Sequence, residues 1–310
     1  MFPIVNVPAD AAELSEQMGT KFKFWYSDEC RRRILFKEGR PGTGENWAEK
    51  LAAEFAELLG IPHAHYDLAM WKDRYGVITP SLVAKNERLI HGNELIVGKV
   101  TRDSNDDNLR YYEQRSHIAT RAFQFLQKNS DIVAPPVIYK PINGVHSALG
   151  VFVGYLLFDC WIANQDRHSE NWGIIMSTEG NFHLAPSYDH GSSLGRNETD
   201  LKRREILTTR DKGRSMETYV RRARSAFYPP APSNAKVKAY PTLDLFEQAC
   251  KMDSVAGLAW QKQLAKIEEQ MIRDIISKVP DLHMTEIARE FTAKLLLANI
   301  DRLLSLKIQL

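Results

Sequence analysis

Asp166 and Asn171 stand five residues apart in Asn164-Gln165-Asp166-Arg167-His168-Ser169-Glu170-Asn171, and eighteen residues beyond Asn171 comes Asp189 in Tyr188-Asp189-His190-Gly191. A carboxylate that can orient a hydroxyl, an amide oxygen five residues on and a second carboxylate in an Asp-x-Gly turn form a recognisable set. Phosphoryl transfer uses these groups to position an acceptor and to hold magnesium against nucleotide phosphates. Asn171 and Asp189 both offer the hard oxygen donors that magnesium prefers. The reaction asks mainly for positioning and for neutralisation of charge on the phosphoryl oxygens. Spacing alone is weak evidence, because Asp-x-x-x-x-Asn occurs by chance in many loops and Asp-Arg-His can cap a helix or form a surface ion pair.

The order of the flanking elements strengthens the reading. A nearly all-apolar helix over 145–163 delivers the chain into Asn164, and a rigid buried element before a catalytic loop fixes Asp166 against the core. After Asn171 come a short apolar strand over 172–176, a turn at Glu179-Gly180-Asn181 and a returning strand over 182–185, which together bring Asp189 back toward Asp166.

Further upstream, strand-type runs at 21–26, 33–37 and 76–79 surround one helix over about 47–59. Leu51, Ala52, Phe55, Leu58 and Leu59 share a face of that helix, and Gly60 with Pro62 beyond it ends the run. After about residue 100 the pattern becomes helical. Helices are expected over 109–126, from Trp260 through Leu264, Ile267, Met271 and Ile275 to Val279, and over 284–306. The Pro-rich stretch 228–233 reads as a loop. The expected fold is therefore α+β and bilobal. A small β-rich N-terminal lobe (1–98) precedes a larger helical lobe (99–310), and ATP belongs in the cleft between them.

Composition is compatible with this and excludes other classes. The 310 residues are 44% hydrophobic and 26% charged, ordinary globular values with enough length for two lobes. A formal charge of +2 does not point to a nucleic-acid-coating or membrane-surface protein, and neither direct DNA binding nor membrane association is expected. Three cysteines without a CxxC pair argue against a disulfide framework or structural zinc. With no basic, apolar secretory start after Met1, they make the cytoplasm the expected location. His168 and His190, with His183 or Cys160, raise a metal-hydrolase alternative, but no His-x-x-x-His spacing supports it. His168 reads better as a brace for the loop.

One segment departs from the average. Between Arg196 and Ser225 lie ten Lys or Arg and five Asp or Glu, a local balance of +5. Most such runs are solvated faces. Its position directly after Asp189 raises a second reading, a docking surface for an acidic protein or an RNA-associated partner.

The motif Asn-x-Asp-Arg-His-x-x-Asn-Trp-Gly followed by Tyr-Asp-x-Gly-x-Ser resembles the C-terminal kinase core of the HipA family, bacterial serine/threonine kinases related in fold to phosphatidylinositol kinases. The resemblance covers most of the chain. Met18-Gly19-Thr20-Lys21-Phe22-Lys23-Phe24-Trp25 is similar to the family's phosphate-covering hairpin, and Leu35-Phe36-Lys37 to its ATP-binding lysine strand. The resemblance implies that Asp166 is the catalytic base, that Lys37 serves catalysis and contacts ATP phosphates, and that Asn171 and Asp189 hold magnesium. Gly19, Thr20 and Lys21 would cover the nucleotide. The glutamate paired with Lys37 would be Glu49 or Glu54, with Glu49 preferred from its spacing before Gly60. The loop Gly39-Arg40-Pro41-Gly42-Thr43-Gly44 follows the lysine strand, whereas a kinase glycine loop precedes it, so it reads as a connector. Because the chain begins almost at the phosphate hairpin, it resembles the stand-alone HipA-like kinases.

What the resemblance implies for partners is a protein substrate, such as an aminoacyl-tRNA synthetase or another translation factor, and an antitoxin. Autophosphorylation in the phosphate loop would fall on Thr20. Two other classes stay open: a small-molecule or lipid head-group kinase on the same core, and a non-catalytic binding module.

Overall fold

Alternating apolar residues build the first sheet. The structure is a computed structural model that describes residues 1–12, 14–15, 22–96, 117–231 and 237–310. Strands β1 (Ile4–Asn6), β2 (Leu14–Ser15), β3 (Lys23–Ser27), β4 (Arg33–Glu38), β5 (Asp67–Trp71) and β6 (Arg74–Pro80) form one sheet in the order β1-β5-β6-β4-β3-β2. All its pairings are antiparallel except β1 with β5. Period-two alternation gives the sheet two faces. Phe24, Tyr26, Ile34, Phe36 and Trp71 cluster on one. Lys37, opposite Val77 in register, lies on the other, where Val77 and Leu68 join the main core beneath helix α1 (Glu45–Leu59). The β5–β6 turn places Lys72 and Asp73 at φ 46° and 62°, the geometry of a two-residue hairpin.

Helix α1 ends at Gly60, as its sequence predicts, with φ 83° in the left-handed region. Of its 15 residues, 11 are buried. It packs against β5 and β6 on one side and against α9 (Glu269–Ser277) on the other. Phe55 meets Trp161 edge-on at 5.5 Å, which ties α1 to the helical half of the molecule.

A second, four-stranded sheet of β7 (Arg88–His91), β8 (Val133–Ala134), β9 (Gly173–Met176) and β10 (Phe182–Leu184) runs in the order β7-β9-β10-β8. Around it stand α2 (Gly92–Ile96), α3 (Ala119–Lys128), α4 (Ala148–Trp161), α5 (Asp200–Thr208), α6 (Met216–Arg221), α7 (Thr242–Cys250), α8 (Ser254–Leu264), α9 and α10 (Glu286–Ser305). Every residue of α4 is buried, and the Ser147 side chain caps it by accepting from Gly150 N–H at 2.9 Å. The expected α+β bilobal architecture is the one observed. Among the described residues no helix is long and apolar enough to cross a membrane.

Some elements differ from expectation. The single helix expected from Trp260 to Val279 is two, α8 and α9, separated by 265–268, where Glu268 is extended at φ −92° and ψ 152°. Ile267 is itself buried within this connection. Beyond it Ile272 and Ile276 are buried while Met271 is 40% exposed, so the apolar register slips by one residue at the break. Periodicity carried across an exposed loop by one buried residue, Ile267, mimics a continuous helix. In the helix expected over 109–126, residues 109–116 lie outside the described residues, and α3 spans Ala119–Lys128.

Candidate active site

The loop between α4 and β9 is organised around a buried ion pair. Arg167 donates from Nε to Asp159 Oδ2 at 2.5 Å and from Nη2 to Asp159 Oδ1 at 2.8 Å, with both residues almost wholly buried. Such fork-to-carboxylate pairing fixes orientation as well as charge. Arg167 Nη2 also donates to Ser187 Oγ at 2.8 Å, and Nη1 to the Asn171 carbonyl at 3.3 Å. One guanidinium therefore ties the end of α4, the loop and the strand-to-turn segment that follows. Ala163 turns the chain out of α4 at φ 53°. Asn164 donates from Nδ2 to Asp159 Oδ1 at 2.8 Å and accepts from Asp166 N–H at 3.2 Å.

Asp166 and Asn171 are joined directly. Asn171 Nδ2 donates to the Asp166 carbonyl at 2.6 Å, which fixes the amide plane and reserves Oδ1 as its acceptor oxygen. His168 Nδ1 accepts from Glu170 N–H at 3.2 Å, a bracing contact within the loop. Asp166 is half-buried, and its Oδ2 accepts from Ser192 Oγ at 3.1 Å.

Long-range sheet and helix packing brings Lys37, Glu49 and Asp189 together. Lys37 Nζ lies 2.5 Å from Asp189 Oδ1 and 3.2 Å from Glu49 Oε2. Burial alone would lower the Lys37 ammonium, but the facing carboxylates of Asp189 and Glu49 outweigh it and hold it well above the usual lysine range. Burial raises the Glu49 carboxyl, and the Asp189 charge raises it further against the pull of Lys37. Glu54, the other glutamate considered, pairs with Lys50 at 2.8 Å.

Asp189 sits at φ 56°, a left-handed conformation that costs a non-glycine residue about 1–3 kcal/mol. Its backbone is held from two sides: Asp189 N–H donates to Tyr66 Oη at 3.2 Å, and His190 N–H donates to Glu49 Oε1 at 2.5 Å. The His190 ring is buried, and burial with the nearby Arg167 charge keeps it far below the ordinary histidine pKa. It is therefore neutral, accepting at Nε2 from Ser187 Oγ at 2.7 Å.

A carboxylate and an amide, Asp189 and Asn171, suit a magnesium ion that takes its remaining ligands from phosphate oxygens and water. Among the described residues no cluster of three or more His, Cys, Asp or Glu is placed to hold a metal. Gly19, Thr20 and Lys21 lie outside the described residues. Sequence reasoning missed Tyr66, Ser187, Ser192 and Arg196. None carries a spacing signal, because each reaches the site through a tertiary contact.

No protein-family model matches the chain, and no curated protein matches it by sequence. Solved structures do. The Helicobacter pylori proinflammatory kinase CtkA is similar with a TM-score of 0.68 and 19% identity, over 98% of this chain and 98% of that one. HipA of Shewanella oneidensis MR-1, solved with HipB and operator DNA, is similar with a TM-score of 0.56 and 13% identity, over 97% of this chain and 70% of that one. At these identities the likeness speaks to architecture, and the chain has the bilobal α+β kinase-like fold.

Proposed function

We propose that this chain is an ATP- and magnesium-dependent kinase of the HipA type that transfers the γ-phosphoryl group to a serine or threonine hydroxyl of a protein. The observation that carries the reading is Lys37 Nζ, bound between Glu49 Oε2 and Asp189 Oδ1, in a site whose Asp189 turn is tied through Ser192 to a loop in which Asn171 is locked to Asp166. A kinase needs this lysine–glutamate pair and an aspartate–asparagine metal set in place together. Lys37 would meet nucleotide phosphates, Asn171 and Asp189 would hold magnesium, and the ion would neutralise charge on the transferring group. Asp166 would orient the acceptor hydroxyl and take its proton. The nucleotide would lie between an N-terminal lobe within 1–98 and the helical lobe of 99–310, with Gly19, Thr20 and Lys21 over its phosphates.

The likeness to a HipA of a toxin–antitoxin system, solved with HipB, supports an antitoxin as the partner to test. The substrate proposed is a protein, with a translation factor such as an aminoacyl-tRNA synthetase as the first candidate from the motif resemblance. Reaction in the cytoplasm and autophosphorylation at Thr20 belong to the same proposal. Purified protein incubated with labelled ATP, magnesium and a bacterial lysate tests it against Asp166→Ala and Asp189→Ala. Label transfer by the parent and its loss in both variants is the expected result; transfer that survives both refutes the mechanism.

A further inference from the structure

The glycine-rich loop that follows the lysine strand has no part in this transfer, yet it walls a cavity of about 160 Å³. Gly42, Thr43 and Gly44 form one side, Arg196 and Arg203 another, and the start of α10 at Thr285 a third. Both arginines are 7% exposed. Arg196 donates from Nη2 to Ser192 Oγ at 3.1 Å, while its Nη1 lies 3.7 Å from Glu45 Oε1, and neither Nη1 nor Nε has a hydrogen-bond partner. Arg203 donates to Asp200 Oδ1 at 2.8 Å and to the Gly195 carbonyl at 3.3 Å, which leaves Nε without one. His283 Nε2, on the same cavity, has none either.

Buried donors in folded proteins are almost always paired, so several unpartnered donors around one cavity call for a ligand rich in acceptor oxygens. The helix adds to this. Thr285 caps the 20-residue α10, whose positive N-terminal end favours an anion. Glu198 is the carboxylate on the wall, and its Oε1 accepts from the Tyr219 hydroxyl at 3.1 Å. The volume is well below the ~300–1,000 Å³ of pockets for drug-sized ligands, and it suits a tetrahedral oxyanion.

We propose that this cavity binds a phosphate-sized oxyanion on Arg196 and Arg203, supplied by free phosphate or by a phosphorylated side chain. Arg196 also reaches Asp166 through Ser192, so occupancy bears on the acceptor-orienting carboxylate. That consequence rests on the kinase reading; the binding itself does not.

Inorganic phosphate titrated into the full chain at constant ionic strength, followed by thermal unfolding and phosphorus NMR line width, tests the site. A phosphoserine peptide and its unphosphorylated counterpart form the second arm. Saturable binding that chloride does not reproduce is expected, weakened at least tenfold by Arg203→Gln. Thr43→Asp sets a carboxylate on the loop wall of the same cavity while keeping both arginines in the chain and should weaken binding likewise, which guards against misfolding of the first variant. Lys37→Ala should still bind, separating this cavity from the nucleotide site. Saturation by free phosphate assigns the ion, and saturation by the phosphopeptide alone assigns a modified side chain. Binding lost in Lys37→Ala but kept in Thr43→Asp, or no response beyond chloride in either arm, overturns the proposal. Because the readout is binding, it stands whether or not the chain transfers phosphate.

Discussion

The backbone N–H of His190 donates to Glu49 Oε1 at 2.5 Å, while the other oxygen of the same carboxylate receives Lys37. Glu49 thus holds both the lysine of β4 and the peptide next to Asp189. Its two roles cannot be separated by moving α1.

Glu49→Ala should therefore disturb Lys37 and the Asp189 turn at once. A displacement of about 1 Å in a reacting group can cost on the order of 100-fold, and a fall of that size in kcat/KM for ATP is expected. Steady-state kinetics with purified protein check this, and a loss confined to stability would show that Glu49 only packs.

Gly191→Ala should act on the same carboxylate from outside. A Cβ there would come 2.8 Å from Glu49 Oε2 and 3.2 Å from Glu45 Cγ. Overpacking of this kind costs about 1–3 kcal/mol. The denaturation midpoint should fall by the corresponding amount, and KM for ATP should rise because Glu49 must shift away from Lys37.

Asp159→Ala leaves the Arg167 guanidinium buried without its carboxylate. Removing one partner of a buried ion pair typically costs about 3–5 kcal/mol. Urea unfolding should report a loss in that range, and the Asp159→Ala, Arg167→Met double variant should lose clearly less than the sum of the two single changes.

Acid should destabilise the fold through His117. Its Nδ1 faces the Ala226 carbonyl at 3.0 Å and its Nε2 accepts from Trp172 Nε1 at 3.0 Å, so the buried ring is held neutral. Burial lowers its pKa from 6.5 to about 3. The unfolded chain takes up the proton first, so stability is lost as pH falls from about 6.5 toward about 3, with a limiting slope of about 1.4 kcal/mol per pH unit from this one group. Denaturation midpoints across that window should show a shallower slope in His117→Gln, which keeps a donor and an acceptor but has no proton to gain.

The parts of the site that share a short stretch of chain were legible in the sequence. Asp166 and Asn171 lie within one loop, and the apolar run before them and the Gly180 turn after them are local signals. The spacing that favoured Glu49 over Glu54 worked because α1 is a regular helix with a defined end at Gly60. Contacts that span the chain left no such trace. Arg196 meets Glu45 across 151 residues, and Tyr66 meets Asp189 across 123. Strand β5, with the run Asp-Leu-Ala-Met-Trp, is too short and too evenly apolar to be told from a buried helical turn. The four polar and apolar residues of β7 become a strand only by pairing with β9.

The burial of α1 on both sides has a kinetic meaning. A helix wedged between a sheet and α9, with 11 of 15 residues hidden, can move away only by exposing apolar core on both sides. Its amides should exchange with deuterium only as fast as the whole molecule unfolds. Swinging this helix out would expose apolar core on two sides at once, so the loops around it are the less costly place to act on the site.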